Sequence, residues 1–274
     1  PILISAHDSN TIYLGSNRLF RLRKRGQDWE ALGPDMTRTP RQSPAPEAGH
    51  TSYHAIFSIA ESPKTPAVLW TGTDDGFIWV SRDTGRTWTN VTANFPRGAA
   101  TSCWVSTIAA SYHAEGTAWV TYDCHFRDDY RPHVWRTTDY GRTWTELVNG
   151  LPADRGSLTA FESPRNPRVL WVGTSDGVYV TVDGGRRWRR FGKSFPHVMV
   201  ERMAMSFRQR ELVVSTHGRG LYVVGVGPVE EFNDSVLTDS IHLFEVAPAY
   251  QYRERRTHPS SGSHRFAAPN PPRG

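Results

Sequence analysis

One octet occurs three times in this chain and constrains its fold more than any other feature. Residues 81–88 read SRDTGRTW, residues 137–144 read TTDYGRTW and residues 181–188 read TVDGGRRW. All three fit the pattern Ser or Thr, any residue, Asp, any residue, Gly, any two residues, Trp. A worn copy at residues 22–29, LRKRGQDW, keeps the Gly and the Trp. Such a recurrence predicts a repeat architecture in which each copy belongs to one structural unit.

The residue types of the octet suit a tight turn between two strands. An Asp carboxylate accepts hydrogen bonds from backbone N–H groups two or more residues ahead, and Gly adopts the positive φ that such turns demand. The Ser or Thr hydroxyl can bond across the turn, and the Trp ring can be buried as the next strand begins. We therefore predict a structural, non-catalytic role for twelve residues. They are Ser81, Asp83, Gly85, Trp88, Thr137, Asp139, Gly141, Trp144, Thr181, Asp183, Gly185 and Trp188.

A wider unit surrounds each octet. Residues 68–88, VLWTGTDDGFIWVSRDTGRTW, resemble residues 169–188, VLWVGTSDGVYVTVDGGRRW, and residues 212–224 form a further copy without the octet. Each unit reads as four short strands, A to D, with alternating apolar residues. In the second unit the predicted strands are 55–62, 67–73, 77–82 and 87–92. About 19 strands in four-stranded units predict an all-β fold, a β-propeller of about five blades, either a small closed ring or part of a larger one.

Composition agrees with such a fold. Aromatic residues make up 12% of the 274 residues, and the 23 Gly and 19 Pro suit many turns. Helix signals are nearly absent, and no apolar run approaches the ~20 residues of a membrane span. Because the chain begins at Pro1 within an apparent strand, we interpret it as a fragment of a longer protein with further domains.

The basic charge does not indicate a nucleic-acid partner. The net charge is +5, and all but three of the 32 basic residues are arginine. They are scattered along the chain rather than gathered, apart from a group around Trp188 in a predicted outer strand, where they favour a solvated sheet edge. That group is Arg186, Arg187, Arg189 and Arg190. No nucleic acid and no cofactor is predicted.

The two cysteines, Cys103 and Cys124, fall on adjacent predicted strands near the open ends of one hairpin. Two cysteines are too few for a disulfide scaffold or a four-Cys zinc site. Their placement is compatible with one cross-strand disulfide in an oxidising compartment and, equally, with two neighbouring free thiols.

At these motifs the chain resembles the Asp-box, or BNR-repeat, proteins, and within them the bacterial sortilin-like group that is loosely described as glycosyl hydrolases. The resemblance also rests on residues 128–144, DDYRPHVWRTTDYGRTW, on residues 215–224, STHGRGLYVV, and on residues 241–249, IHLFEVAPA. It covers most of the chain and implies a β-propeller of Asp-box blades in a secreted or periplasmic protein. Asp boxes are specific for the fold and unspecific for activity.

Alternating strand direction divides the turns of a propeller between two faces. The octets are C–D turns and share a face with the A–B turns, whereas the B–C loops and the D–A connections share the opposite face. We call that opposite face the B–C face. Its predicted B–C loops are residues 15–17, 74–76, 123–133, 175–177 and 217–220. Loops on a rigid scaffold are the usual place for binding, so we predict any ligand on this face.

The long loop at residues 123–133 is the outlier, because other B–C loops need two to four residues. It is either a ligand-recognition loop or a loop pinned by its own Arg–Asp pairs. The candidate ligand-binding residues are Arg127, Asp128, Asp129, Tyr130, His217 and Arg219. If the protein is a glycoside hydrolase, two carboxylates about 5–10 Å apart are needed. The catalytic candidates are then Asp74, Asp75, Asp128 and Asp129.

Simpler explanations exist for several of these residues. Asp74 and Asp75 precede a Gly as a hairpin turn requires, and His217 and Arg219 lie in a Gly-flanked turn. The His and Asp residues of the long loop match no spacing of metal ligands, so no metal site is predicted.

Two segments are not blades. Residues 38–52, rich in Pro, are predicted to be a mobile loop on the B–C face. Residues 1–232 are assigned to the propeller and residues 233–274 to a following strand, within residues 241–246, and a linker or the start of another domain.

The leading hypothesis is a secreted or periplasmic propeller that binds a peptide, protein or glycan on its B–C face. The alternatives are a glycoside hydrolase that uses carboxylates of that face, and a structural propeller domain without its own activity.

Overall fold

The computed structural model describes residues 1–38 and 54–246. Nineteen strands lie in these residues, the number that the repeat predicts. The first ten are β1 Ile2–Ile4, β2 Ile12–Gly15, β3 Leu19–Arg23, β4 Asp28–Leu32, β5 Ile56–Glu61, β6 Leu69–Thr73, β7 Ile78–Ser81, β8 Thr89–Asn90, β9 Trp104–Ala110 and β10 Ala118–Asp123. The others are β11 His133–Thr137, β12 Thr145–Glu146, β13 Ser157–Glu162, β14 Leu170–Thr174, β15 Gly177–Thr181, β16 Arg189–Arg190, β17 Val200–Ser206, β18 Glu211–Thr216 and β19 Leu221–Gly225.

These strands form five antiparallel sheets that follow one another along the chain. The first four sheets have four strands each (β1–β4, β5–β8, β9–β12, β13–β16), and the fifth has three (β17–β19). The first strand of each sheet packs against the inner strands of the sheet before it, as β5 packs on β2 and β17 on β14. Residues 1–38 and 54–246 therefore form five blades of an all-β propeller, and the predicted fold class is confirmed.

The core lies between blades, because a single sheet cannot bury both of its faces. All residues of β6 (LWTGT) and of β14 (LWVGT) are buried, and Trp70 and Trp171 are 0% exposed. Gly72 in β6 is needed for close packing: a Cβ at this position would lie 2.3 Å from Val105 Cγ1 of the next blade. The Gly-Thr that recurs at the end of B strands thus serves the packing of neighbouring blades.

The octets form the C–D turns between β7 and β8, β11 and β12, and β15 and β16. In the first, Ser81 Oγ donates to Asp83 Oδ1 (2.9 Å) and accepts from the Gly85 N–H (2.9 Å). Asp83 also accepts from the Thr87 N–H (2.9 Å) and hydroxyl (2.6 Å). These hydrogen bonds lower the pKa of Asp83 to about 2.

The other two octets use the same scheme. Asp139 accepts from the Thr137 hydroxyl at 2.8 Å and from the Thr143 N–H at 2.9 Å. Asp183 accepts from the Thr181 hydroxyl at 2.6 Å and from the backbone N–H groups of residues 186 and 187 at 2.9 and 3.1 Å. The Asp carboxylate and the Ser or Thr hydroxyl of each octet are thus bonded within the turn, as a structural role requires.

A second repeated motif joins blades on the same face. Glu-Ser-Pro occurs at residues 61–63 and 162–164, at the end of the first strand of blades two and four. The Glu61 carboxylate accepts from the Ser5 hydroxyl (2.8 Å), the Ala6 N–H (2.7 Å) and the Tyr13 hydroxyl (3.0 Å) of blade one. The Glu162 carboxylate accepts from the Tyr112 N–H of blade three (2.7 Å). These buried carboxylates are inter-blade hydrogen-bond acceptors that the sequence analysis did not identify.

Cys103 and Cys124 form a disulfide with their Cα atoms 5.0 Å apart. Cys103 immediately precedes β9 and Cys124 immediately follows β10, and these two strands pair with Trp104 opposite Asp123. Of the two alternatives that the sequence left open, the structure has the cross-strand disulfide.

After the last blade the chain forms two short helices, α1 Gly227–Glu230 and α2 Asp234–Thr238. Residues 241–246, for which the sequence predicts a strand, have no regular secondary structure. Ile241, Leu243 and Val246 are exposed, with Ile241 89% exposed, and the Arg210–Glu245 ion pair (2.9 Å) holds the segment without strand pairing. Of the predicted loop at residues 38–52, only Arg38 belongs to the described residues. The predicted linker lies outside the described residues beyond residue 246.

Candidate functional site

The B–C face collects the loops that join the second and third strands of each blade. In the structure these are residues 16–18, 74–77, 124–132, 175–176 and 217–220. The connections from one blade to the next reach the same face, because each blade begins and ends there. Side chains of the loops bind residues of the connections or of their own loop, and the partners differ from blade to blade.

Asp74 and Asp75 lie in the loop of blade two and are buried. The Asp74 carboxylate accepts from the Ala55 N–H at 2.9 Å. The Asp75 carboxylate accepts from the Arg38 N–H at 2.5 Å and from the Thr73 hydroxyl, and lies 3.5 Å from His54 Nδ1. The two carboxylates, 2% and 5% exposed as residues, therefore attach the connection between blades one and two to the loop.

The long loop of blade three begins with a 3-10 turn at His125–Arg127, and Asp128 follows with φ of +54°. Asp129 forms a two-pronged ion pair with Arg131, with Nε and Nη2 at 2.9 and 2.7 Å from its two oxygens. His133, the first residue of β11, contacts the same carboxylate through Nε2 at 3.1 Å. The hydrogen bond from the Arg131 side chain, with further help from its backbone N–H and from His133, lowers the pKa of Asp129 well below its usual range.

This loop is therefore pinned by an Arg–Asp pair, as one of the two predicted alternatives has it. The other alternative is still open, because part of the loop faces solvent. Asp128, Tyr130 and Arg131 are exposed, and Tyr130 is 53% exposed. The Asp129–Arg131 ion pair thus fixes the loop backbone, and the polar groups of the neighbouring residues Asp128 and Tyr130 face solvent.

An aromatic cluster adjoins the loop at the start of the first strands of blades two and three. It consists of Phe57, Trp104, His125 and Phe126. The Trp104 ring centroid lies 5.3 Å from that of Phe57, 4.3 Å from that of Phe126 and 6.0 Å from that of His125. His125 also binds Asp123 through Nδ1 at 2.7 Å, which fixes the imidazole. Phe126 is 42% exposed, so the cluster presents apolar ring surface on the B–C face.

Blades four and five carry further histidine–carboxylate pairs on this face. Asp176 lies 3.0 Å from Arg190 Nη1 and 2.8 Å from His197 Nδ1, so it attaches the connection between blades four and five. Burial raises the pKa of Asp176, but the hydrogen bond from His197 and nearby positive charges outweigh it and the pKa is lowered. His217 lies 2.9 Å from Glu201.

The predicted candidates thus fall into three groups. Asp74 and Asp75 are buried and accept hydrogen bonds from backbone N–H groups of the connection, and Asp129 is paired with Arg131 of its own loop. His217 and Arg219 lie in the exposed loop of the fifth blade, outside the aromatic cluster. The candidates beside that cluster are the exposed Asp128 and Tyr130 and the half-buried Arg127.

Trp104, Phe126 and Phe57 were missed by the sequence analysis. A signal was present, however. Trp104 follows Cys103 directly, and His125 and Phe126 follow Cys124. Cysteines that are close enough to be bonded bring the residues next to them together, so the disulfide hypothesis already contained three members of the aromatic cluster.

Comparisons with known proteins agree with this fold. No family model matches the chain. A curated protein of Neosartorya fischeri, described as a "Probable oligoxyloglucan-reducing end-specific xyloglucanase", is 33% identical over 111 residues, which are 40% of this chain and 13% of that protein. The GH74 xyloglucanase of Xanthomonas campestris superposes with a TM-score of 0.60 at 15% identity, over 82% of this chain and 36% of that structure.

An extracellular domain from B. thetaiotaomicron, described as that of a hybrid two component system, superposes with a TM-score of 0.54 at 14% identity, over 79% of this chain and 25% of that structure. The chain therefore spans about a third or less of the length of these proteins. Within the described residues no helix has the length and apolarity to cross a membrane. At these identities the structural likeness establishes the propeller fold, and its functional meaning is a matter of proposal.

Proposed function

We propose that this chain is a glycan-binding β-propeller module that recognises its ligand on the B–C face, with the aromatic cluster as the centre of the site. The observation that carries the proposal is the contact of Trp104 and Phe126, whose ring centroids lie 4.3 Å apart with the ring planes tilted by 55°, beside an exposed polar loop. A structural role alone does not require apolar ring surface at a solvent-facing rim.

The chemistry of a sugar ring suits this surface. One face of a pyranose carries mostly C–H groups, which pack on an aromatic ring, and its rim carries hydroxyls, which need donors and acceptors. Asp128 and Tyr130 stand exposed on the same loop, and Arg127 is half-buried beside Phe126. A few polar groups around an apolar platform are the usual composition of a small-molecule site.

The proposal includes a secreted or periplasmic location and membership of the bacterial sortilin-like group. A disulfide persists in oxidising compartments, so the Cys103–Cys124 bond supports a secreted or periplasmic protein. The extracellular domain among the structural neighbours points in the same direction. Membership of the bacterial sortilin-like BNR proteins, and further domains in the same longer chain, complete the proposal.

A glycoside hydrolase is the second candidate, because a curated relative and a structural neighbour are described as xyloglucanases. Most such enzymes need two carboxylates that reach the scissile bond. Among the four candidates, Asp74 and Asp75 are buried and Asp129 is engaged by Arg131, which leaves Asp128 exposed. This arrangement favours binding over hydrolysis by these four residues.

The test is a binding screen of the full chain against soluble polysaccharides, xyloglucan among them, by affinity electrophoresis and then by calorimetry. We expect at least one glycan to bind, and Phe126→Ala and Trp104→Ala to weaken it at least tenfold, since burying a large apolar side chain contributes about 1.5–3 kcal/mol. Trp29→Ala is the matched control, because Trp29 is 58% exposed on β4 and away from the cluster.

Product analysis of the same mixtures separates the two candidates. Binding without release of reducing ends supports the binding module. Release of reducing ends that Asp128→Asn abolishes, with binding retained, would replace it by the hydrolase. Binding that both Phe126→Ala and Trp104→Ala leave unchanged would remove the aromatic cluster from the site.

A further inference from the structure

Four metal-ligand side chains meet beneath the long loop of blade three. The ligand atoms of Cys124, Asp129 and His133 all lie within 4.8 Å of one another. Cys103 joins the group because its sulfur is bonded to that of Cys124. Within the described parts of the chain, this is the one such cluster of three or more His, Cys, Asp or Glu side chains.

We propose that reduction of the disulfide converts this cluster into a tetrahedral site for Zn²⁺, with Cys103, Cys124, Asp129 and His133 as its four ligands. The disulfide and the bound ion are alternative states of the same two sulfurs. A zinc ligand is the thiolate, which the disulfide lacks, so the oxidised chain does not hold the ion.

The geometry suits zinc. Bonds of about 2.3 Å to sulfur and about 2.0–2.2 Å to nitrogen and oxygen place the ligand atoms of a tetrahedral site about 3.3–3.8 Å apart. The ligand atoms of Cys124, Asp129 and His133 already lie within 4.8 Å of one another and need a contraction that side-chain rotation can supply. The Cα atoms of the two cysteines are 5.0 Å apart, so both sulfurs can reach one ion after the bond between them is broken.

Most of the ligands stand on rigid elements. Cys103 and Cys124 flank the paired strands β9 and β10, and His133 opens β11 opposite Tyr122. The His133 N–H donates to Ser157 Oγ at 2.9 Å, which fixes the start of its strand to the next blade. Cys103, Cys124 and His133 are all buried, so the site is pre-positioned and largely shielded from water.

Charge balance is also favourable. Two thiolates and the Asp129 carboxylate carry three negative charges, and Zn²⁺ carries two positive ones. Arg131, paired with Asp129 at 2.7 Å, supplies the third positive charge from the outer side of the carboxylate. His133 Nε2 now contacts Asp129 at 3.1 Å and would instead give its lone pair to the ion.

The redox step balances with a thiol or phosphine reductant. A dithiol transfers two electrons and two protons to the disulfide, the S–S bond breaks, two thiols form and the dithiol becomes a disulfide itself. A phosphine supplies the two electrons instead: it takes the oxygen of one water molecule to become the phosphine oxide, and the two protons of that water go to the thiols. Ion binding then releases the two thiol protons to the solvent. The state of the site is therefore set by the reductant and the ion together.

The experiment uses the full chain, reduced with a phosphine under anaerobic conditions, freed of reductant and titrated with Co²⁺ as the spectroscopic probe. We expect one Co²⁺ per chain, with the thiolate charge-transfer and tetrahedral ligand-field bands, displaced by one equivalent of Zn²⁺. The oxidised chain should show neither band. Asp129→Asn and His133→Ala should weaken binding of the ion at least tenfold.

The matched controls are Asp128→Asn and His125→Ala, which change the same residue types in the same loop and should leave the affinity for Co²⁺ unchanged. Circular dichroism confirms that each reduced variant is folded, and a count of two free thiols confirms that its disulfide is reduced. A folded, reduced chain without the tetrahedral bands would overturn the proposal. The same holds if Asp129→Asn binds Co²⁺ as tightly as the unsubstituted chain, because the cysteines alone would then explain the binding.

Discussion

The two faces of this propeller solve the same problem, the reversal of a chain between strands, in opposite ways. On the face of the C–D turns, which we call the C–D face, Asp83, Asp139 and Asp183 accept hydrogen bonds from the same positions of their turns. On the B–C face the acidic residues of the loops have different partners: Asp75 accepts from a backbone N–H of the connection, and Asp129 pairs with an arginine of its own loop. Repetition thus marks what the fold needs, and departure from it marks where a ligand can be recognised.

The largest expected effect compares a glycine of each face. Gly141 in a turn of the C–D face has φ of +82°, and a Cβ there would lie 2.7 Å from Val91 Cγ2. Gly218 on the B–C face has φ of +76° and open space around it. Gly141→Ala should lower the free energy of unfolding by about 4 kcal/mol, from a left-handed backbone and overpacking together, and Gly218→Ala by about 1 kcal/mol. Urea denaturation measures both, and equal losses would contradict the comparison.

Next in size is the loss of the disulfide. The bond closes a segment with a sequence separation of 21 residues, so Cys103→Ser with Cys124→Ser should lower the free energy of unfolding by about 3 kcal/mol. The loosening should be confined to the B–C face. Hydrogen exchange should accelerate in residues 124–132 and stay slow in the turn at residues 137–144, and equal acceleration of both would show that the faces are not independent.

A smaller loss of stability is expected when one aspartate of each face is replaced by alanine. Asp139→Ala leaves turn N–H and hydroxyl groups without their acceptor and should cost about 2 kcal/mol. Asp128→Ala, at an exposed position of the long loop, should cost less than about 1 kcal/mol, including the left-handed backbone. Thermal unfolding of the two variants is sufficient to compare them. A larger loss for Asp128→Ala would give the B–C face the structural role.

The smallest effect concerns acid. The pKa of Asp83 is lowered to about 2, chiefly by the Thr87 hydroxyl, from a usual value of 3.8. A lowered pKa stabilises the folded state above the unfolded value, and this stabilisation disappears as the pH falls from about 4 to about 2. Thr87→Val should therefore destabilise the protein at pH 7 by less than about 1 kcal/mol, since the turn is exposed to solvent.

That difference should vanish near pH 2, as followed by urea denaturation at several pH values. Thr89→Val, in the exposed strand that follows, is the control and should show no such dependence. A Thr87→Val deficit that is the same at pH 2 and pH 7 would mean that the Asp83 charge contributes nothing.

Sequence reasoning succeeded where a structural rule is local. The strand count and the hairpin turns follow from alternation and from residues that contact each other within eight positions, as Ser81, Asp83 and Gly85 do. It failed at Ile241–Val246, whose apolar pattern suits a strand that finds no partner strand in the described structure. It also failed to find Glu61, although Glu-Ser-Pro is repeated, because the groups that Glu61 accepts from lie 48 to 56 residues away.

The site was reached only in part. The long loop was identified by its length, and its Arg–Asp pair lies within two residues, so that pairing was within reach of the sequence. The burial of Asp74 and Asp75 was not, because it depends on Arg38 and His54, which a different blade and its connection bring to them.

The sequence by itself determined the repeating unit, the turn chemistry of its octets and the class of fold, because hydrogen bonds over a few residues and alternating burial leave a readable period. Only the tertiary structure decided which side chains share the B–C face. The aromatic cluster and the group of Cys103, Cys124, Asp129 and His133 arise from strand register and from packing between blades, which bring together residues far apart in the chain.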